Sequence, residues 1–202
     1  MNTTSSPTQT STQPIRQASI ADEQRVISAL VLAFGADPGM RWLYPDAARF
    51  LENFPVFAKA FGGKAFARGT AYCDERYAGA ALWLPPGVRP DVEAIEHLVQ
   101  RSVAAHTVAS MRKLLEQIEP YHPREPYWYL PLIGVDPMHQ REGLGSALMK
   151  YALRQIDKDR MSAYLETPPH NVPLYQRHGF EALATIRVGS SPITVPMVRK
   201  PR

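Results

Sequence analysis

Apolar positions recur along this chain with two periods, and the changes of period mark its elements. Ile15 to Ser19 predicts a short first strand. After Asp22, a residue suited to helix capping, Val26, Ile27, Leu30, Val31 and Phe34 return on one face and predict a helix to about Phe34. Gly35-Ala36-Asp37-Pro38-Gly39 ends it. A second helix is expected over Ala47 to Phe61, stopped by Gly62-Gly63. Ala65 to Cys73 and Gly79 to Leu84 read as a hairpin pair, terminated by Pro85-Pro86-Gly87.

Pro90 to Glu119 is a long helical stretch with two apolar stripes. Val92, Ile95, Leu98, Val99 and Val103 form the first, and Val108, Met111, Leu114, Leu115 and Ile118 the second. His97 and His106 on this stretch are read as surface or packing residues. A proline-punctuated loop, Pro120 to Pro126, leads to the strand Tyr127 to Val135. The next helix carries Leu144, Ala147, Leu148, Tyr151 and Ile156 on one side, with Lys150, Arg154, Asp157 and Lys158 roughly opposite. Ser162 to Glu166 is a strand, and Asn171 to His178 a short helix ended by Gly179. Phe180 to Val188 and Ile193 to Arg199 read as a closing hairpin. This order gives a single mixed α/β domain from residue 14 to 202, behind a tail, Met1 to Gln13, expected to be disordered.

Composition narrows the function classes. The net charge is +4, with basic residues scattered apart from Arg199, Lys200 and Arg202, so a nucleic-acid footprint is not expected. No apolar run approaches the ~20 residues of a membrane span, and a signal peptide is not recognisable. The lone cysteine, Cys73, excludes an internal disulfide framework and fits a reducing cytoplasm; it is read as a buried, inert thiol. No metal is expected.

The chemistry begins at Asp136-Pro137, where the strand turns into Gln140-x-x-Gly143-x-Gly145 and then into a helix. Backbone N–H groups and the helix dipole converge there to favour an anion, and glycines let its oxygens approach. The run is not a dinucleotide fingerprint, because Leu148 stands where the next glycine is required. It is not a P-loop, because no Gly-Lys-Ser/Thr follows. A second constellation is Leu165-Glu166-Thr167 followed by Asn171-Val172-Pro173-Leu174-Tyr175 and by His178-Gly179-Phe180.

Together these segments resemble the GCN5-related N-acetyltransferase (GNAT) family: its pyrophosphate loop, Gln/Arg-x-x-Gly-x-Gly/Ala, and its Asn-x-x-x-x-Tyr-x-x-x-Gly-Phe segment. Glu125 to Leu130, Gly134-Val135, Gly143 to Ala147 and Met197 to Pro201 are further similar to the small-molecule branch containing puromycin N-acetyltransferase. The likeness is dense from about Pro120 to Pro201 and thin before it.

The resemblance implies a splayed, mostly antiparallel sheet flanked by helices, with acetyl-CoA entering the opening and an amine approaching from the other side. Ile133, Gly134 and Val135 would pair with the pantetheine arm. Backbone donors over Gln140, Arg141, Glu142, Gly143, Leu144, Gly145 and Ser146 would hold the pyrophosphate. Asn171 would hydrogen-bond pantetheine or orient its helix. Tyr175 would place its hydroxyl near the thioester sulfur as general acid, since a phenol can donate to the departing thiolate. Glu166 is the candidate base for the amine, directly or through water, or else a structural carboxylate. His139, His170 and His178 flank the site. Glu142 departs from the basic residue common at its position and is expected to face solvent or pair with a cation.

The expected activity is acetyl transfer from acetyl-CoA to a primary amine of a small molecule. Peptide or protein amines, and a non-catalytic acyl-CoA-binding regulator, are the alternatives. The insert at Pro90 to Glu119 and the loop at Gly35 to Asp46 suggest a covered pocket. Trp42, Tyr44, Trp83 and Trp128 would line it or serve as core aromatics. A homodimer is possible on family grounds.

Overall fold

The computed structural model describes residues 14–202, so the expected tail Met1 to Gln13 lies outside the described residues. Seven strands form one sheet: β1 (Ile15–Gln17), β2 (Ala71–Asp74), β3 (Gly79–Leu84), β4 (Tyr127–Val135), β5 (Ser162–Thr167), β6 (Glu181–Ala182) and β7 (Val195–Arg199). Their order is β1-β2-β3-β4-β5-β7-β6. Every pairing is antiparallel except β4 with β5.

That exception shapes the molecule. β4 and β5 pair only from Tyr127–Ser162 to Tyr129–Tyr164. Beyond Tyr129 the β4 register against β3 slips, with Leu130 and Pro131 standing opposite Trp83 alone. Such a bulge bends its strand, and Pro131 has no N–H to give to a ladder. β5 continues instead along β7 to Thr167–Val195. Between residues 130 and 135, β4 is paired on the β3 side only, so the sheet opens there.

Helices cover both faces, as the nearly all-apolar β3 requires. On one face α1 (Glu23–Phe34), α3 (Ala47–Gly62) and α5 (Val92–Ser102) bury Leu30, Phe54 and Leu98 with Ala80, Leu82, Leu84 and Leu132. On the other, α7 (Leu144–Asp159) buries Leu148, Met149, Ala152 and Ile156 with Ala81, Trp83, Trp128 and Leu165. α6 (Ala105–Ile118) completes the insert, which breaks into two helices at Val103-Ala104.

Four expectations are corrected. Residues 64–70 are not strand: Lys64–Arg68 is a short helix, α4, of good helix formers, capped by left-handed Gly69 at φ 68°. The turn after α1 holds another helix, α2 (Pro38–Leu43), whose first turn Asp37 caps by accepting from the Met40 N–H at 2.9 Å. Asp22 stands at the N-cap position of α1 but gives it no side-chain bond; its carboxylate accepts from the Ser19 N–H and pairs with Arg16 instead. The closing hairpin is shorter than its apolar pattern. After Ala182 only one bridge, Ile186–Thr194, remains, because Ala184, Ile186 and Val188 pack instead on Leu114 and Ile118 of α6.

Candidate active site

The opening between β4 and β5 collects most of the residues expected to act. On its β4 side stand Ile133, Gly134 and Val135. Gly134 has a packing reason to lack a side chain: a Cβ there would stand 2.5 Å from Ala33 Cβ and 3.2 Å from Leu30 Cδ2, both on α1. The glycine lets helix and strand touch, so α1 backs the open stretch directly.

The loop that follows is held by its own side chains. Asp136 accepts from the Met138 N–H at 2.9 Å, and Gln140 donates its side-chain amide to the Val135 carbonyl at 3.2 Å. Gln140 therefore fixes the loop's shape against the end of β4. Arg141 and Gly143 both have positive φ, 67° and 85°, the left-handed conformation that anion-binding nests also use. A Cβ at Gly143 would meet nothing within 4 Å, so this side of the loop is open. No side chain caps α7, leaving its first N–H groups, among them those of Leu144, Gly145 and Ser146, free for a ligand. Glu142 is exposed, and among the described residues no ion pair to it is seen. These features suit a pyrophosphate, the polyanionic part of acetyl-CoA.

Tyr175 stands on α8 (Val172–Gln176), 5% exposed, its ring edge-on to Phe180 at 6.0 Å. Burial pushes its phenol up to about 12, opposed by a hydrogen bond with Thr167 at the end of β5. Asp37, at the start of α2, adds an upward push, so it too borders this place. Burial in turn raises the Asp37 carboxyl. Asn171 precedes α8 and makes no capping bond with its side chain.

α8 is anchored from behind. Arg199 of β7, 3% exposed, forks onto Asp157 of α7 at 2.5 and 3.0 Å and donates to the His178 carbonyl at 3.0 Å. His178 bonds Ser146 Oγ through Nε2 at 2.9 Å. Burial holds its imidazole below the ordinary value, with Lys150 adding to the effect. His178 thus joins the loop helix to the tyrosine helix. His170 is exposed, and His139 lies 3.6 Å from Asp136.

Glu166 does not share a face with Tyr175. The tyrosine packs with Leu165 and α7, whereas Glu166 points to the α3 side. There its Oε2 accepts from the Tyr129 hydroxyl at 2.8 Å, and His122 Nε2 lies 3.2 Å from its Oε1. The other nitrogen of His122 is 2.7 Å from the Tyr127 hydroxyl, and its ring lies 4.4 Å from that of Tyr164. The Tyr164 hydroxyl is buried without a hydrogen-bond partner of good geometry. Burial first, and then the Glu166 charge, raise the phenols of Tyr127, Tyr129 and Tyr164, so all three stay protonated. The opening thus has a tyrosine and an uncapped helix end on one side, and a carboxylate near phenols and one imidazole on the other.

His122, Tyr129, Tyr164, Thr167 and Asp37 are additions to the sequence reading. Alternation offered a signal for two of them: Tyr127 and Tyr129 share a face of β4, as Tyr164 and Glu166 share one of β5. His122, in a loop, had none. The aromatics once weighed as pocket lining go mostly to the core: Tyr44, Trp83 and Trp128 are buried, while Trp42 is half-buried and reaches Ser190. Cys73 is buried in β2 and its thiol pushed up to about 11 by burial, as an inert thiol would be. Among the described residues no helix is long and apolar enough to cross a membrane.

Comparison with known proteins agrees with this fold. Residues 106–182 match the model of the acetyltransferase (GNAT) domain. A Corynebacterium glutamicum protein, described as histone acetyltransferase HPA2 and related acetyltransferase, shares 23% identity over 95% of this chain and 97% of its own, with a TM-score of 0.67. An agmatine N-acetyltransferase mutant shares 18% over 94% and 99%, with a TM-score of 0.64. A Drosophila melanogaster polyamine N-acetyltransferase shares 16% over 93% and 99%, with a TM-score of 0.61. The family match covers the loop, the splayed strand and the tyrosine helix, and the likeness of fold extends over the rest of the described residues.

Proposed function

We propose that this protein transfers an acetyl group from acetyl-CoA to a primary amine of a small molecule. The observation that carries the reading is the pairing, across one opening of the sheet, of an uncapped helix end with a buried phenol on one side and a hydrogen-bonded carboxylate on the other. Acetyl-CoA supplies an activated acyl thioester. The residues of the chain bind it, receive the amine and manage the protons.

The N–H groups from Gln140 to Ser146 hold the pyrophosphate, with backbone donors carrying the grip despite the exposed Glu142. The open edge of β4 at Ile133 to Val135 pairs with the pantetheine amides, and Asn171 supplies a further amide. Tyr175 donates to the sulfur as it departs. With its phenol near 12 and a free thiol near 8.5, complete transfer to a free thiolate is uphill by ~5 kcal/mol. Its main contribution is therefore a hydrogen bond shared with the sulfur while charge develops there, which a phenol kept protonated by burial supplies at any working pH. Glu166 faces the amine and accepts its proton.

Agmatine and polyamine acetyltransferases stand among proteins of the same fold, and a carboxylate ringed by phenols suits a cationic amine of that kind. The test is thiol release from acetyl-CoA across a panel of polyamines, agmatine, puromycin, aminoglycosides, amino acids and short peptides. Release with one class of small amine is expected. Release with peptides alone would replace the small-molecule reading, and acetyl-CoA binding without release to any amine would favour an acyl-CoA-binding regulator.

A further inference from the structure

We propose that His178 is a positioning residue for acyl-CoA: its ring turns the Ser146 hydroxyl toward the bound pyrophosphate, and binding draws a proton onto that ring. The proposal rests on the acetyl-CoA reading of the loop before α7. It adds to that reading a side-chain donor and a pH dependence.

Ser146 is the third residue of α7, after Gly143 at the N-cap. Helix side chains lean toward the N-terminus, so its hydroxyl sits beside the first turn, where the N–H groups are free. Its Oγ lies 2.9 Å from His178 Nε2. The ring is held from two sides. The His178 N–H donates to the Tyr175 carbonyl at 2.9 Å, and the His178 carbonyl accepts from Arg199 Nε at 3.0 Å. Arg199 is in turn forked onto Asp157 of α7. Leu174 of α8 closes the same seam, since a Cβ at Gly145 would stand 3.8 Å from it.

A hydroxyl has one hydrogen to give and two lone pairs to receive. In this pair it either spends its hydrogen on a bare Nε2 or receives the hydrogen of Nε2–H. In the first arrangement Oγ shows only lone pairs to the loop, and these repel an anion. In the second the hydroxyl hydrogen is free. A pyrophosphate at the first turn of α7 selects the second: Nε2–H donates to Oγ, and Oγ–H donates to a phosphate oxygen. Donors aligned in one direction polarise one another, so the chain is stronger than its separate links.

The charges acting on the ring are cations from three places: Lys150 on α7, Arg177 just after α8 and Arg199 on β7. The guanidinium of Arg202 also reaches this region, beside Gly179. Asp157 of α7 is taken up by Arg199. Burial first, and then these cations, keep the ring neutral at neutral pH in the free protein. A bound phosphate anion offsets the cations and favours the imidazolium, which only donates. Binding therefore moves a proton from solvent onto His178. The sign follows from linkage. Affinity is flat with pH while the ring is neutral in both states, rises as pH falls through its bound-state titration, and levels off below its free-state one.

Calorimetry of the full-length protein tests this. Acetyl-CoA and dephospho-CoA are titrated from about pH 5.5 to 8, in buffers of different ionisation heat, which counts the protons taken up. Dephospho-CoA lacks the 3′-phosphate, so none of its own phosphates titrates in this range. Uptake of a fraction of a proton is expected with both, together with an affinity about threefold to tenfold higher at the acidic end. Ser146→Ala keeps the backbone N–H and removes the hydroxyl; it should weaken binding of both about threefold to tenfold. His178→Ala should weaken binding as much and abolish the uptake. His178→Gln, whose amide can donate to Oγ, should recover most of that affinity and none of the uptake. By NMR, the wild-type His178 ring should titrate at higher pH with dephospho-CoA bound than free. Uptake that survives in His178→Gln, a ring titration that falls or stays in place on binding, or wild-type affinity in Ser146→Ala would overturn the proposal. A wild type that binds neither acetyl-CoA nor dephospho-CoA would strike the acetyl-CoA reading instead, a result distinct from these.

Discussion

Gly134 offers a sharp test of how α1 supports the open strand. In Gly134→Ala the new Cβ would lie 2.5 Å from Ala33 Cβ, 3.2 Å from Leu30 Cδ2 and 3.3 Å from Phe34 Cε2. Carbon atoms in contact prefer ~3.5–4.0 Å, so α1 must retreat by about 1 Å at Ala33. Overpacking of this kind costs about 1–3 kcal/mol. Ala33→Gly removes the nearest obstacle but costs about 1 kcal/mol of helix propensity by itself. The two substitutions should therefore be strongly non-additive, with a coupling of about 1–2 kcal/mol in favour of the double variant. Urea denaturation of the wild type, both single variants and the double variant measures this cycle. Because α1 backs β4 where the pantetheine arm is proposed to pair, Gly134→Ala should also weaken acetyl-CoA binding, and the double variant should recover it. Additive free energies, or a Gly134→Ala protein as stable as the wild type, would refute the close-packing argument.

Two further predictions concern the loop helix. Gly143 sits at φ 85° with open space around it, whereas a Cβ at Gly145 would make only ordinary contacts at 3.8 Å; Gly143→Ala should cost about 1–2 kcal/mol through its backbone alone, and Gly145→Ala should leave thermal stability equal or higher. His178 is held neutral by burial, so the unfolded chain takes up a proton first as pH falls below ~6.5. Its contribution to stability is thus present above that pH and is lost on acidification, and a melting temperature followed from pH 8 to 5 should fall less steeply in His178→Gln than in the wild type.

The parts of this protein that were legible in its sequence are those governed by local rules. Glycines at a turn and at a helix end announced the loop before α7 and the cap at Gly179, which indeed has φ 85°. Periodicity placed α1, α3 and α7, and β4 came out with its observed ends. What escaped depended on distant partners. The Ala184 to Val188 segment has a strand's composition, but α6, some 70 residues earlier in sequence, offers it a better apolar surface than a sheet edge does. Residues 64–68 carry both helix and strand character, and the left-handed Gly69 decides for the helix. In the site, Tyr175 and Glu166 could be picked by pattern, but their placement on opposite faces of β5 could not, because it depends on where β4 leaves β5. His122 became visible only once the loop before β4 had folded against Glu166.

The central claim is that Tyr175 serves the departing sulfur at an acetyl-CoA site in the sheet opening. Tyr175→Phe keeps the ring that packs on Phe180 and removes only the hydroxyl. The measurement is its kcat for thiol release, beside its equilibrium affinity for acetyl-CoA, against the wild type. The account predicts a loss of about 10²–10⁴ in kcat with affinity held within about threefold. A variant that turns over as fast as the wild type would contradict it.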